Sequence, residues 1–90
     1  MVKKIHEQFY TFQKTVTTLA SKIVDGVAGV DTVTIQNLGA TSVYLGHTSS
    51  VTINDGFPLQ AGVAIEMEST ADIYAIVESG AANVAVMVEV

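Results

Sequence analysis

The chain has 90 residues, a formal net charge of −5, 49% hydrophobic residues, and neither cysteine nor tryptophan. One domain of this size buries only about 60% of the surface that its unfolded chain exposes, and without cysteine no disulfide framework or thiolate metal cage can reinforce so thin a core. Residues 1–22 hold all four lysines and one acid, whereas residues 23–90 hold eight acids and no base; an acidic body lacking arginine repels polyanions, which excludes nucleic acid as an expected partner.

The opening segment "MVKKIHEQFYTFQK" is basic, but polar residues interrupt its apolar positions every few places, so it does not read as a signal peptide. No run of 18 uncharged apolar residues follows, so no spanning helix and no membrane partner is expected, and the chain reads as one made in a cytoplasm. Residues 1–10 are expected to form an exposed arm and residues 11–90 one domain. Within that domain a first strand is expected from about Thr11 to Leu19 and a second near Ser21 to Val24. The spacing of Ile5, Phe9, Phe12 and Val16 also fits one face of an amphipathic helix, whereas the β-branched content of "TVTTLASKIV" favours strands.

From residue 31 the hydrophobic period is two. "DTVTIQN" puts Val33 and Ile35 on one face against Thr32, Thr34 and Gln36. After the turn "NLGA", "TSVYLG" repeats the pattern with Val43 and Leu45, which predicts a hairpin. The connection "HTSSVTINDGFPLQAG" holds at most a short strand near Val51 to Ile53, with Asn54-Asp55-Gly56 supplying the positive φ of a tight turn. Pro58 cannot donate a ladder hydrogen bond, so the chain must run there at a sheet edge or outside a sheet. "VAIEME" alternates with Val63, Ile65 and Met67 inward. "ADIYAIVES" is apolar on both faces, Ile73, Ala75 and Val77 against Tyr74 and Ile76. "NVAVMVEV" puts its valines on one face. Strands at this spacing, separated by Gly, Asn and Ser turns, predict an all-β fold, a small antiparallel sandwich that is jelly-roll-like or barrel-like.

Chemistry-bearing groups are few. His6 and His47 lie far apart with no second ligand at a recognisable spacing, so no metal or cofactor is expected. Glu66 and Glu68, about 7 Å apart if they share a strand face, suit an inverting glycosidase or, with Asp72, a calcium site; they equally suit a strand face made soluble by acids. "HTSS" sets hydroxyls beside His47, but neighbours on a loop do not assemble a triad. No enzyme is therefore expected. Tyr74 and Ile76 are the better interaction candidates: an apolar outward face is covered either by the arm or by another subunit.

Three segments, "VTIQNLGATSVYLG", "VTINDGFPLQAGVAIEM" and "DIYAIVESGAANVAVMVEV", together resemble small β-sandwich structural proteins of tailed bacteriophages, over the chain from Asp31 onward. The shared pattern is V-T-I-x-N-x-G-x-x-x-V-Y-x-G, then G-F-P-L-x-x-G, then Y-A-I-x-x-S-G-x-x-x-V-x-V. This resemblance implies a virion component on the capsid surface, a decoration or cement protein that binds the major capsid protein, assembles as a homotrimer and is made in the host cytoplasm. It carries over no catalytic residue. The basic, aromatic segment Lys3, Lys4, Phe9, Tyr10, Phe12 and Lys14 is the expected contact with the shell, and Tyr74 and Ile76 the expected subunit interface. Removing residues 1–14 is then expected to abolish attachment and leave the sandwich folded. The alternative is a tail or fibre module recognising a host carbohydrate through loops such as His47–Ser50, although three tyrosines and no tryptophan make a poor sugar platform.

Overall fold

The computed structural model describes residues 9–26, 32–68 and 71–89. In them the period-two segments form eight strands: β1 (Phe9–Thr17), β2 (Ser21–Val24), β3 (Thr32–Asn37), β4 (Val43–Gly46), β5 (Phe57–Leu59), β6 (Ala64–Met67), β7 (Ile73–Val77) and β8 (Ala81–Glu89). All pairings are antiparallel. They build a first sheet of order β1-β8-β3-β6 and a second of order β2-β7-β4-β5. The pairs β1–β8, β2–β7, β3–β6 and β4–β5 nest like the two arms of one long hairpin, rolled so that successive pairs fall in alternate sheets. This order is that of an eight-strand jelly roll, a two-sheet sandwich.

The inner faces meet as an aliphatic core. Val33 and Ile35 of β3, Val43 and Leu45 of β4, Ile73, Ala75 and Val77 of β7, and Val84, Val86 and Val88 of β8 are all buried, in the phase that their alternation dictates. Valine suits such a core because its χ1 is already restricted before burial, so packing removes little side-chain freedom. Pro58 lies in β5, the edge of the second sheet, where its missing N–H costs no central ladder bond.

β3 and β4 do not form the expected hairpin, because they belong to different sheets. The reason lies in Asn37, which follows Val33 and Ile35 in core phase and is completely buried. Its amide Nδ2 donates to the carbonyls of Thr41 (2.7 Å) and Leu59 (2.9 Å), and its Oδ1 accepts the Gly39 N–H (2.8 Å). The side chain thereby fastens an arch, residues 38–42, that carries the chain from one sheet to the other. Gly39 is obligatory in that arch: a Cβ there would lie 2.5 Å from the Cβ of Ala82.

Other differences follow from the partners available. β1 covers Phe9–Thr17, and β8 (Ala81–Glu89) supplies Cα partners over that whole span. Phe9 and Tyr10 are therefore strand residues and not arm; the rest of the expected arm, residues 1–8, lies outside the described residues. Removing residues 1–14 would strip β8 of most of its neighbour, so that truncation cannot leave the sandwich intact. No strand forms at Val51–Ile53, where the loop closes on itself: Thr52 N–H donates to Asp55 Oδ1 (2.7 Å) and Gly56 N–H to Thr52 O (2.8 Å). Positive φ occurs at Gly62 and Gly80, not at Gly56. Gly56 is needed for space instead, since a Cβ would lie 2.7 Å from that of Tyr44. Val63, expected inward, is exposed: it closes the Gln60–Val63 turn through its N–H (3.0 Å to Gln60 O) just before β6 begins.

Replacing Asn37 by alanine strands the buried Leu59 carbonyl and the Gly39 N–H. Urea denaturation of Asn37→Ala is expected to show a loss of about 2–4 kcal/mol with an unchanged slope.

Candidate functional site

The residues expected to contact a partner fall on two different surfaces. On β1 the buried Val16 sets the inward phase, so Tyr10, Phe12 and Lys14 point toward the second sheet while Phe9, Thr11, Gln13 and Thr15 point out. Phe9 (66% exposed) and Tyr10 (52% exposed) therefore present rings on opposite faces of one strand. Phe12 packs on the margin of the core, and the Lys14 Nζ lies 5.9 Å from the centre of its ring, within cation–π range. Lys3 and Lys4 lie outside the described residues, as does His6.

Between the margins of the two sheets an open cleft of about 350 Å³ separates β1 from β2. Phe12, Gln13 and Lys14 form one wall, and Lys22, Ile23, Val24 and Asp25 the other. The Lys22 ammonium bridges two carboxylates, Asp25 Oδ1 at 3.2 Å and Asp72 Oδ2 at 3.4 Å, and sits 5.9 Å from the Tyr74 ring centre. Asp72 Oδ1 also accepts the Gly26 N–H (2.7 Å). Hydrogen bonding to Asp25 and the charge of Asp72 hold the Lys22 ammonium above its ordinary 10.5. The Gly26 N–H holds the Asp72 carboxyl below its ordinary 3.8; desolvation opposes it, and the Lys22 charge and hydrogen bond add to the lowering.

The second surface is the outer face of the β2-β7-β4-β5 sheet. Cross-strand register lines up Pro58, Tyr44 and Ile76 in one row and Gly46, Tyr74 and Lys22 in the next. Tyr74, Ile76 and Tyr44 are half-buried. Part of this face is roofed by the chain itself. Val51 is buried yet stands apart from the core cluster, and a Cβ on the outward side of Gly46 would lie 2.5 Å from its side chain. The β4–β5 loop thus folds back over the sheet, a cover that the sequence did not suggest. Phe57 remains exposed beside it, whereas Leu59 is buried.

Groups that suggested chemistry in the sequence are dispersed. His47 Nδ1 lies 3.2 Å from the Asp72 carbonyl, while the Thr48 and Ser50 hydroxyls bond to each other at 2.7 Å. Glu66 and Glu68 are exposed at the far edge of the first sheet, and Asp72 is committed to Lys22 and Gly26. Among the described residues no three His, Asp or Glu side chains converge as metal ligands would. No family model matches the chain, and no curated protein matches it either.

A carboxyl held below its ordinary value stabilises the fold at every pH above that value. The contribution disappears as pH falls through the lowered one. The difference in Tm between the wild type and Asp72→Asn is therefore expected to be constant through neutral pH and to shrink below about pH 3.8. The Lys22 contribution has the opposite sign of dependence: full below 10.5, and lost as pH rises through the raised value.

Proposed function

We propose that this chain is a structural component of a virion, a capsid decoration or cement protein that attaches to the outside of a tailed-phage head and bridges neighbouring subunits of the major capsid protein. One observation carries this reading: the residues of the resembling motif serve the scaffold. Asn37 and Gly39 build the inter-sheet arch, Gly46 and Gly56 admit the covering loop, Pro58 marks an edge strand, and Gly80 takes the positive φ (+67°) between β7 and β8. A motif whose asparagine, glycines and proline shape the fold suits a protein whose product is a shape and a set of surfaces. The jelly roll is compatible with this role but does not single it out, because lectins and cupins use the same architecture.

In this reading the exposed rings of Phe9 and Tyr10 supply most of the affinity for the shell. Each surface ion pair from Lys3, Lys4 or Lys14 adds only about 0–1 kcal/mol. Saturable co-sedimentation of the purified protein with undecorated tailed-phage heads is expected. The double substitution Phe9→Ser/Tyr10→Ser is expected to abolish it with the Tm nearly unchanged, both side chains being exposed. Failure of the wild type to sediment with such heads, together with a saturable heat of binding to host polysaccharide, would replace this reading with the carbohydrate-binding one.

A further inference from the structure

The four sheet edges are unequally protected against pairing with another chain. β6 has four residues and carries Glu66 outward; β2 has four, with Lys22 and a register shift before Val24; β5 has three, one of them Pro58. Short length, charge, irregular register and proline are the usual means of blunting an edge. β1 has none of them beyond a single lysine. It is nine residues long, pairs with β8 in unbroken register, and among the described residues no strand lies on its outer side.

The direction of its backbone groups follows from one hydrogen bond. Leu38 N–H donates to Asn83 O (2.9 Å), which turns the odd-numbered residues of β8 toward β3 and the even-numbered ones toward β1. Their partners Tyr10, Phe12, Lys14 and Val16 are thus the β1 residues bonded to β8. The N–H and C=O groups of Phe9, Thr11, Gln13, Thr15 and Thr17 point away from the sheet.

We infer that this edge receives the same strand of a second copy of the chain, antiparallel about a twofold axis at Gln13. The sequence of β1 is self-complementary in that register. Gln13 faces Gln13 of the second copy, Thr11 faces Thr15, and Phe9 faces Thr17, each pair having both backbone groups free to exchange two hydrogen bonds. On the inner face Lys14 meets Phe12 of the second copy, so the one charge on the strand faces an aromatic ring and never another lysine. A shift of the axis to Lys14 would set the two ammonium groups against each other, and a shift to Phe12 or beyond would leave the end of β1 without partners among residues 9–17. The result is one sheet continuous across two molecules, formed without altering either core and independent of the function proposed above.

The test is solution mass by light scattering of the full chain over a dilution series. The expected mass is twice the 9.5 kDa of one chain. Gln13→Pro removes an outward N–H without touching a bond to β8 and is expected to halve the mass while far-UV circular dichroism and Tm hold. Gln13→Lys and Gln13→Glu are each expected to be monomeric, because like charges then face across the axis, and an equimolar mixture of the two is expected to recover the dimer. A wild-type monomer would overturn the inference. So would a trimer, the assembly implied by the resemblance to cement proteins, or a Gln13→Lys variant that remains dimeric.

Discussion

The hydrogen bonds of one buried amide decide how the two sheets are joined. Asn37 is the buried polar residue among the described ones, and its three bonds reach the arch that leaves β3, the glycine within that arch, and the far end of β5. A core made almost wholly of valine, isoleucine and leucine favours burial but distinguishes poorly between registers displaced by two residues, since either puts an aliphatic side chain inward. An amide in the same interior has no such tolerance. Displaced by one step, it loses its partners in a medium of low dielectric, where a stranded polar group is costly. The hold on β5 matters most, because three residues including a proline make few ladder bonds of their own. Where β5 is fixed, the loop before it can fold back and set Val51 against Gly46.

How a strand faces was legible in the sequence; what it pairs with was not. Period-two alternation placed the inward residues of β3, β4, β7 and β8 and set Tyr74 and Ile76 on an outer face, while β-branched content located β2 at Ser21–Val24. Proline chemistry placed Pro58 at a sheet edge or outside a sheet, and it lies at an edge. Alternation carries no information about which neighbour a strand chooses, and so β3 and β4, close in sequence and alike in pattern, read as a hairpin. The one signal to the contrary was a polar residue in core phase, Asn37 two places after Ile35, followed at once by Leu-Gly. Such a residue must find partners where it is buried, and a simple hairpin turn would have left it with none.

The same limit governs the surface chemistry. The concentration of lysine in the first quarter of the chain suggested a basic segment reaching out to a partner. Folding brings Lys22 to two carboxylates, one of them, Asp72, remote in sequence, and lays Lys14 beside Phe12. Part of the apparent charge asymmetry is therefore answered within the molecule. The strand geometry also splits the aromatic segment: Phe9 looks outward and Tyr10 and Phe12 inward, so residues adjacent in sequence lie on opposite faces of the strand.

The position of β8 has a consequence for how the chain is made. β8 lies between β1 and β3, and its nearest sequence neighbour in that sheet, β6, touches only β3. On a ribosome β1 must therefore wait, without its hydrogen-bonding partner, while every intervening strand is synthesised, and the first sheet cannot close until Ala81–Glu89 has emerged. Folding during translation can assemble β4 with β5 and then extend the second sheet through β7, but the longest strand pair among the described residues forms only after all the other described strands have been made. Until then the aromatic start of β1 is available to chaperones and to other nascent chains.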